Sequence, residues 1–269
     1  MPISAKQARI NPLEWLAASR IPVGPMSVTG LSSTDLINHV LEHALSSPRK
    51  TQLIMPVNAQ LFVMAELNHD FRDCINRAEI VCPDGFSIKL ACRWLSFRNV
   101  ERLPGVDLVT GLCQAGAQRG LRIYLLGGKP GSAEETANRL RADFPNLTIS
   151  GIDCPPFGFE RDSNLLALVL QNLIDAKPQI VFVALGAPKQ EFLMDRFLRE
   201  LGVPVVMAVG GTFEMLASRV RRAPNWIRSI GMEWFFRLMQ EPRRLWKRYT
   251  IVNAQFLFIC ARYAIKSTR

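Results

Sequence analysis

The chain of 269 residues is poor in histidine, with three (His39, His43 and His69), none of them beside a cysteine pair. Its six cysteines, at positions 74, 82, 92, 113, 154 and 260, are scattered without a single Cys-x-x-Cys. This pattern disfavours a zinc or disulfide framework, and reduced cysteines in the core of a cytosolic protein are the expectation. No Asp-x-Asp occurs. A metal-held diphosphate clamp therefore has no obvious ligands, and neither a metal nor another cofactor is expected. The Gly-x-Gly-x-x-Gly fingerprint is missing as well, which weighs against a dinucleotide-binding turn. At the N-terminus, MPISAKQARINPLEW has no uninterrupted apolar stretch of the kind a secretory signal needs. The late apolar run IVNAQFLFICARYAI is broken by Asn253, Gln255 and Arg262, and falls short of the roughly 20 apolar residues a bilayer span requires. Neither a repeat nor a low-complexity tract is present. With 48% apolar and 21% charged residues, the chain has the composition of a folded protein.

What the chain does have is positive charge in one place. Residues 219–269 hold twelve Lys/Arg and two acids, Glu233 and Glu241, a net +10 that equals the charge of the whole chain. Residues 1–218 are therefore neutral. A field so concentrated implies an anionic partner: phosphate, nucleic acid or an acidic lipid surface. Of the twelve cations only Lys247 and Lys266 are lysine. Arginine's planar fork suits bidentate phosphate contacts, whereas a merely solvated face accepts lysine as readily. Trp226, Trp234, Phe235, Phe236 and Trp246 are interleaved with these cations. They either pack this segment onto the rest of the molecule or sit at a lipid interface.

Upstream, strands that stop at glycine are followed by helices. RIYLLGG ends at Gly127 and Gly128, with Ser132 placed to cap AEETANRLRADF and with Glu134 and Glu135 in its first turn. QIVFVALG ends at Gly186, and Pro188 stands where a helix start prefers proline, ahead of KQEFLMDRFLREL. VPVVMAVGG ends at Gly210 and Gly211. Earlier, TQLIMPVN leads into AQLFVMAELN, and AEIVCPDG leads into FSIKLACRWL. Continuous Val/Ile/Leu strands alternating with helices predict an α/β fold with a doubly wound, mostly parallel sheet. We assign residues 1–218 to this catalytic domain, the sheet falling within about residues 20–218, and residues 219–269 to a basic, aromatic, helical appendage. Ligands of such sheets bind at the carboxyl ends of the strands, where Asn58, Asp84, Gly127, Gly186 and Gly210 fall.

Two readings stand for each candidate. The glycine ends are either turn punctuation or phosphate cradles that offer backbone N–H groups. Asp84, in CPDG, is either a structural Asp-Gly turn or a general base in the cleft. Without a metal clamp, diphosphate charge would have to be met by arginines and helix N-termini. Arg102 in ERLPGVD, Arg222 in RAPNW, and Arg237, Arg243, Arg244 and Arg248 are the candidates.

Taken in order, Asn58-Ala59, PDG at 83–85, ERLPG at 101–105, LLGGKPGSAE at 125–134, LGAPKQE at 185–191, VGGTFE at 209–214, RAPNW at 222–226 and EWFFRLMQEPRRLWKRY at 233–249 form a pattern. It resembles the WecG/TagA/CpsF family of bacterial glycosyltransferases, over about residues 25–250. The resemblance implies an inverting, metal-independent transfer of a sugar from a UDP-sugar to a saccharide on undecaprenyl diphosphate. It implies action at the inner face of the cytoplasmic membrane, with a C-terminal appendage that completes the site. On that basis Asp84 is the proposed base. The positions expected to bind substrate are Asn58, Arg102, Gly105, Gly127, Gly128, Gly186, Lys189, Gln190, Glu191, Gly210, Gly211, Arg222, Arg237, Arg244 and Arg248. Two departures stand out: Pro56 where the family often has threonine, and Ser218 where many relatives have glycine. Pro56 departs from the wall-polymer pattern and tilts the expectation towards hexosyl transfer (glucose or N-acetylmannosamine type) in exopolysaccharide assembly. A nucleic-acid-binding protein using the basic end is one rival, though no nucleic-acid motif is present and no such partner is expected. An NAD-dependent oxidoreductase is the other. A homo-oligomer is left open.

Overall fold

The computed structural model describes residues 12–46 and 50–267. Helix α1 (Pro12–Ala18) precedes an antiparallel hairpin of β1 (Arg20–Val23) and β2 (Met26–Thr29). The α/β alternation then runs α2 (Ser33–Leu45), β3 (Gln52–Val57), α3 (Ala59–Leu67), α4 (His69–Arg77), β4 (Ile80–Pro83), α5 (Phe86–Ser96) and α6 (Gly105–Ala117). It continues with β5 (Arg122–Gly127), α7 (Ser132–Asp143), β6 (Thr148–Asp153), α8 (Ser163–Ala176), β7 (Ile180–Ala184), α9 (Lys189–Arg196), β8 (Val205–Ala208) and α10 (Thr212–Leu216). The basic segment is helical, as α11 (Asn225–Ser229), α12 (Glu233–Gln240) and α13 (Pro242–Ser267).

Strands β3 to β8 form one parallel sheet in the order β4-β3-β8-β7-β5-β6. Its strands are buried on both faces, and the side chains divide by period two. Leu53, Met55, Val181, Val183, Val206 and Ala208 point to one core, against α3, α4, α8 and α9. Ile54, Ile80, Ile123, Leu125, Phe182 and Met207 point to the other, against α2, α6 and α7. The chain winds outward from β3 to β4, crosses to β5 and β6 at the far edge, and returns to fill the middle with β7 and β8. Connections diverge from β5 and β7, so the sheet is doubly wound with its topological switch between those two strands.

Pro56 sits within β3 at no cost to the sheet. The pairing of β3 with β8 ends at Ile54 opposite Met207, so the missing N–H removes no ladder bond. Among the described residues the C-terminal segment adds no strand, yet it joins the core. Helix α13 packs on α3 and α5, and its Phe256, Ile259 and Cys260 belong to the first core. The rings of Phe256 and Phe62 meet edge-on, 5.0 Å between centroids. All six cysteines are free, five of them buried and Cys154 half-buried. Among the described residues no helix is long and apolar enough to cross a membrane.

Local details differ from the reading of the sequence. The β1–β2 hairpin stands outside the α/β alternation that the sequence predicts. Ser132 does not cap α7 by accepting a bond; it begins the helix, and its Oγ donates to the Lys129 carbonyl at 2.7 Å. Pro188 precedes α9 rather than opening it, and that helix ends at Arg196, short of the stretch to Leu201.

Candidate active site

The end of β4 organises the cleft. The Asp84 N–H donates to the Val57 carbonyl of β3 at 3.0 Å, so the turn leaving β4 stays pinned to the sheet. Gly85 follows because the turn presses on Asn58: a Cβ there would lie 3.3 Å from the Asn58 Cβ. Asn58 caps α3, its Oδ1 accepting from the Gln60 N–H at 3.0 Å. The Leu103 N–H returns to the Pro83 carbonyl at 2.8 Å and brings the ERLPG loop to the same strand end. Helix α6 starts there, with its Gly105 N–H 3.3 Å from Asp84 Oδ1.

Asp84 is thus crowded by protein on nearly all sides while keeping a part-open path to solvent. Burial pushes its pKa above the ordinary carboxylate value, and the negative charge of Glu233 adds to the rise. The Gly105 N–H and the charges of Arg102 and Arg237 oppose it. A carboxylate held less acidic than usual is a stronger proton acceptor, the property a general base needs.

Around it stands a cluster of arginines drawn from distant parts of the chain. Arg102 donates from Nη1 to Glu233 Oε2 at 3.0 Å. Arg222 grips Asp107, on the first turn of α6, through both Nη atoms at 2.6 Å each. Arg228 Nη1 lies 3.9 Å from the same carboxylate. Arg237 Nη2 approaches Gly211, standing 3.8 Å from where a Cβ would be. The Nε atoms of Arg222, Arg228 and Arg237 are buried without a hydrogen-bond partner among the described residues. An unmet donor on a buried cation is costly.

The glycine ends occupy the adjoining strand termini, but most of their amides are engaged. Gln190 Oε1 accepts from both Gly186 N–H and Gly210 N–H at 3.1 Å, tying the loops after β7 and β8 together. Its Nε2 donates to Glu191 Oε1 at 2.8 Å. The Gly128 N–H is bonded to the Ala184 carbonyl at 2.7 Å. A side chain and the neighbouring strand thus already occupy the backbone donors of Gly128, Gly186 and Gly210. Glycine serves here for its backbone, since Gly127, Gly128 and Gly186 have φ of 95°, 89° and 75°. Lys189 turns elsewhere, its Nζ 3.4 Å from Glu160 and 3.1 Å from the Phe157 ring centroid. Arg244 and Arg248 are on α13, but their side chains lie outside the described residues.

The structure therefore brings Asn58, Asp84, Arg102, Gly105, Gly211, Arg222 and Arg237 into one neighbourhood. It adds Asp107, Arg228 and Glu233, which the sequence reading did not select. Asp107 carries a sequence signal, as an acid three residues after Pro104 at a helix start. A cavity of about 710 Å³ elsewhere, between the hairpin, the end of α5 and Tyr263, is lined by none of these residues. A smaller one of about 310 Å³, bounded by Lys129, Glu214 and Gln240 among others, borders the glycine ends. Among the described residues no three His, Cys, Asp or Glu side chains form a group that could hold a metal ion.

A doubly wound sheet with a carboxylate and an arginine cluster at its carboxyl edge is a frame for group transfer from a phosphorylated donor. Residues 21–269 match the Glycosyl transferase WecG/TagA/CpsF family, and the chain belongs to that family. Among curated proteins it is similar to the N-acetylglucosaminyldiphosphoundecaprenol N-acetyl-beta-D-mannosaminyltransferase of Bacillus subtilis (strain 168), 28% identical over 80% of this chain and 81% of that protein. The protein of the same name from Bacillus spizizenii is 27% identical over 84% of this chain and 85% of its own length.

Proposed function

We propose that this chain transfers a hexosyl unit from a UDP-sugar to a saccharide carried on undecaprenyl diphosphate, with inversion and without a metal ion. The observation that carries this reading is the meeting, at the end of β4, of a carboxyl with a raised pKa and arginines that keep buried, unmet donors. The acceptor hydroxyl attacks the anomeric carbon, and Asp84 takes its proton. The bond from that carbon to the UDP oxygen breaks, and the diphosphate leaves with the electron pair. Arg102, Arg222 and Arg237 meet the developing charge, and donors aimed in this way are worth about 3 kcal/mol each. The names of the relatives favour an N-acetylmannosaminyl donor and an N-acetylglucosamine-bearing lipid acceptor. Pro56 keeps glucose in contention.

The enzyme would work at the inner face of the membrane, where its acceptor is embedded. Ile251, Ala254, Phe258, Ala261 and Ile265 recur at spacings of three and four along α13 and are all exposed. This stripe lies opposite the buried one and has cations at both ends, Arg243 and Lys247 near one and Lys266 at the other. An amphipathic helix lies in an anionic interface in this way, each nearby cation adding about 1 kcal/mol.

The test is turnover with UDP-glucose and UDP-N-acetylmannosamine on a lipid-diphosphate acceptor, with and without a chelator. Asp84→Asn should lower kcat by about 10²- to 10⁴-fold, the share typical of general-base catalysis, while UDP binding stays nearly unchanged. Near-native turnover by the variant would remove Asp84 from this role. Activity lost to the chelator and restored by magnesium or manganese would overturn the metal-free mechanism.

A further inference from the structure

Glu233 opens the first turn of α12, where the helix N-terminus favours an acid. It is one of only two acids in the basic segment, and it stands between two arginines. Oε2 accepts from Arg102 Nη1 at 3.0 Å, and Oε1 lies 3.9 Å from Arg222 Nε, one of the buried, unmet donors. The side chain is 18% exposed, so water screens these attractions poorly. Its charge also reaches Asp84. An acid so placed lies where the diphosphate described above would make its contacts.

From this geometry we infer that Glu233 is a resident stand-in for the substrate's phosphates: it occupies Arg102 and stands beside the Nε of Arg222 until a diphosphate takes them, and so limits how tightly nucleotide is held. The inference rests on the diphosphate reading and deepens it. Without Glu233 the guanidinium groups of Arg102 and Arg222 would face each other with one fewer carboxylate between them; with it Arg102 is paired and Arg222, already gripped by Asp107, has a second acid beside its Nε. An arriving diphosphate must compete with the carboxylate for the same donors and then tolerate it as a like charge. Product UDP meets the same competition, which favours its release after transfer.

Full-length protein titrated calorimetrically with inorganic pyrophosphate, and separately with UDP, tests the idea. Glu233→Gln keeps the side chain's shape and removes its charge. It should bind both ligands about tenfold more tightly than wild type, as expected for loss of a like charge in a poorly screened site. A role in merely bracing Arg102 predicts the reverse, weaker binding, and equal or weaker binding by the variant overturns the inference. Glu233→Ala should repeat the gain; a gain confined to the glutamine variant would assign the effect to the amide and also overturn it. In steady state Glu233→Gln should lower the KM for the donor and move the acid limb of the pH–rate profile to lower pH, because a negative charge near Asp84 has gone. An unmoved limb counts against the placement. If wild type and variant both ignore pyrophosphate and UDP, the diphosphate reading itself fails, a result distinct from wild type binding and the variant showing no gain.

Discussion

Replacing Glu191 with glutamine should change how the stability of this protein responds to pH. Glu191 is fully buried on the first turn of α9. Its Oε1 accepts from Gln190, whereas Oε2 has no partner among the described residues. Burial raises its pKa from the ordinary 4.5 to about 7, against the opposing pull of the Gln190 hydrogen bond and its own backbone amide. A carboxyl whose folded pKa is raised stabilises the fold below the unfolded pKa and loses that contribution as pH rises through the folded one. Between pH 4.5 and about 7 wild type should therefore lose stability as pH rises, and above about 7 the penalty is constant. The rise corresponds to about 3 kcal/mol at pH 8, a large part of a typical domain's 5–15 kcal/mol. Glutamine keeps the oxygen that accepts from Gln190 and abolishes the titration. Its amide nitrogen inherits the unmet position of Oε2 at a cost of about 1–3 kcal/mol, but that cost does not vary with pH. The quantity to read is therefore a difference of differences. Urea unfolding of both proteins at pH 5 and pH 8 should show the variant gaining about 2–3 kcal/mol on wild type between the two conditions, with equal m values. The same gap at both pH values would refute the assignment of an ionised, buried Glu191.

Two further outcomes follow from the geometry. Ser218 holds φ at 60°, a conformation that costs a side chain about 1–2 kcal/mol, so Ser218→Gly should raise the thermal midpoint by a few degrees, and an unchanged melt would show that the site is unstrained. Phe258→Ser, at a side chain 70% exposed, should weaken flotation with vesicles rich in anionic lipid and leave the melt unchanged; undiminished flotation, with Ile251→Ser equally silent, would remove the α13 stripe from membrane contact.

The central strands were legible because burial on both faces demands unbroken apolar runs, as in Ile180–Ala184 and Val205–Ala208. Strand β6 was hidden by Gly151, and yet that glycine is required: a Cβ there would collide with the Tyr124 ring of β5. The hairpin β1–β2 was hidden by its shortness and by prolines at positions 22 and 25. Asp84 and Arg102 could be found because each sits in a compact local pattern. The partners of the arginines could not. Arg102–Glu233 and Arg222–Asp107 join residues 131 and 115 positions apart, and pairings of that range depend on how α11 and α12 fold back over the sheet. The same limit explains the glycine ends. Backbone donors at Gly186 and Gly210 look open in a one-dimensional reading, and only the fold brings the single oxygen of Gln190 between them.

That folding back changes what the basic segment can be asked to reveal by deletion. Removing everything after Ser218 would take away not only cations but also Phe256, Ile259 and Cys260, uncovering Phe62 and the face of α3 beneath them. Loss of activity would then report a damaged core as readily as a missing phosphate contact. The two duties of the segment are separable because α13 carries them on opposite sides: its inward stripe completes the core, its outward stripe is free for an interface, and the arginines nearest Asp84 belong to the loop and short helices before it. Asp107 and Glu233 offset part of the charge of the arginines nearest the cleft, pairing with Arg222 and Arg102, while Arg243, Lys247 and Lys266 stand on the exposed side of α13. Point substitutions on one stripe at a time, rather than truncation, are what distinguish the segment's part in chemistry from its part in packing.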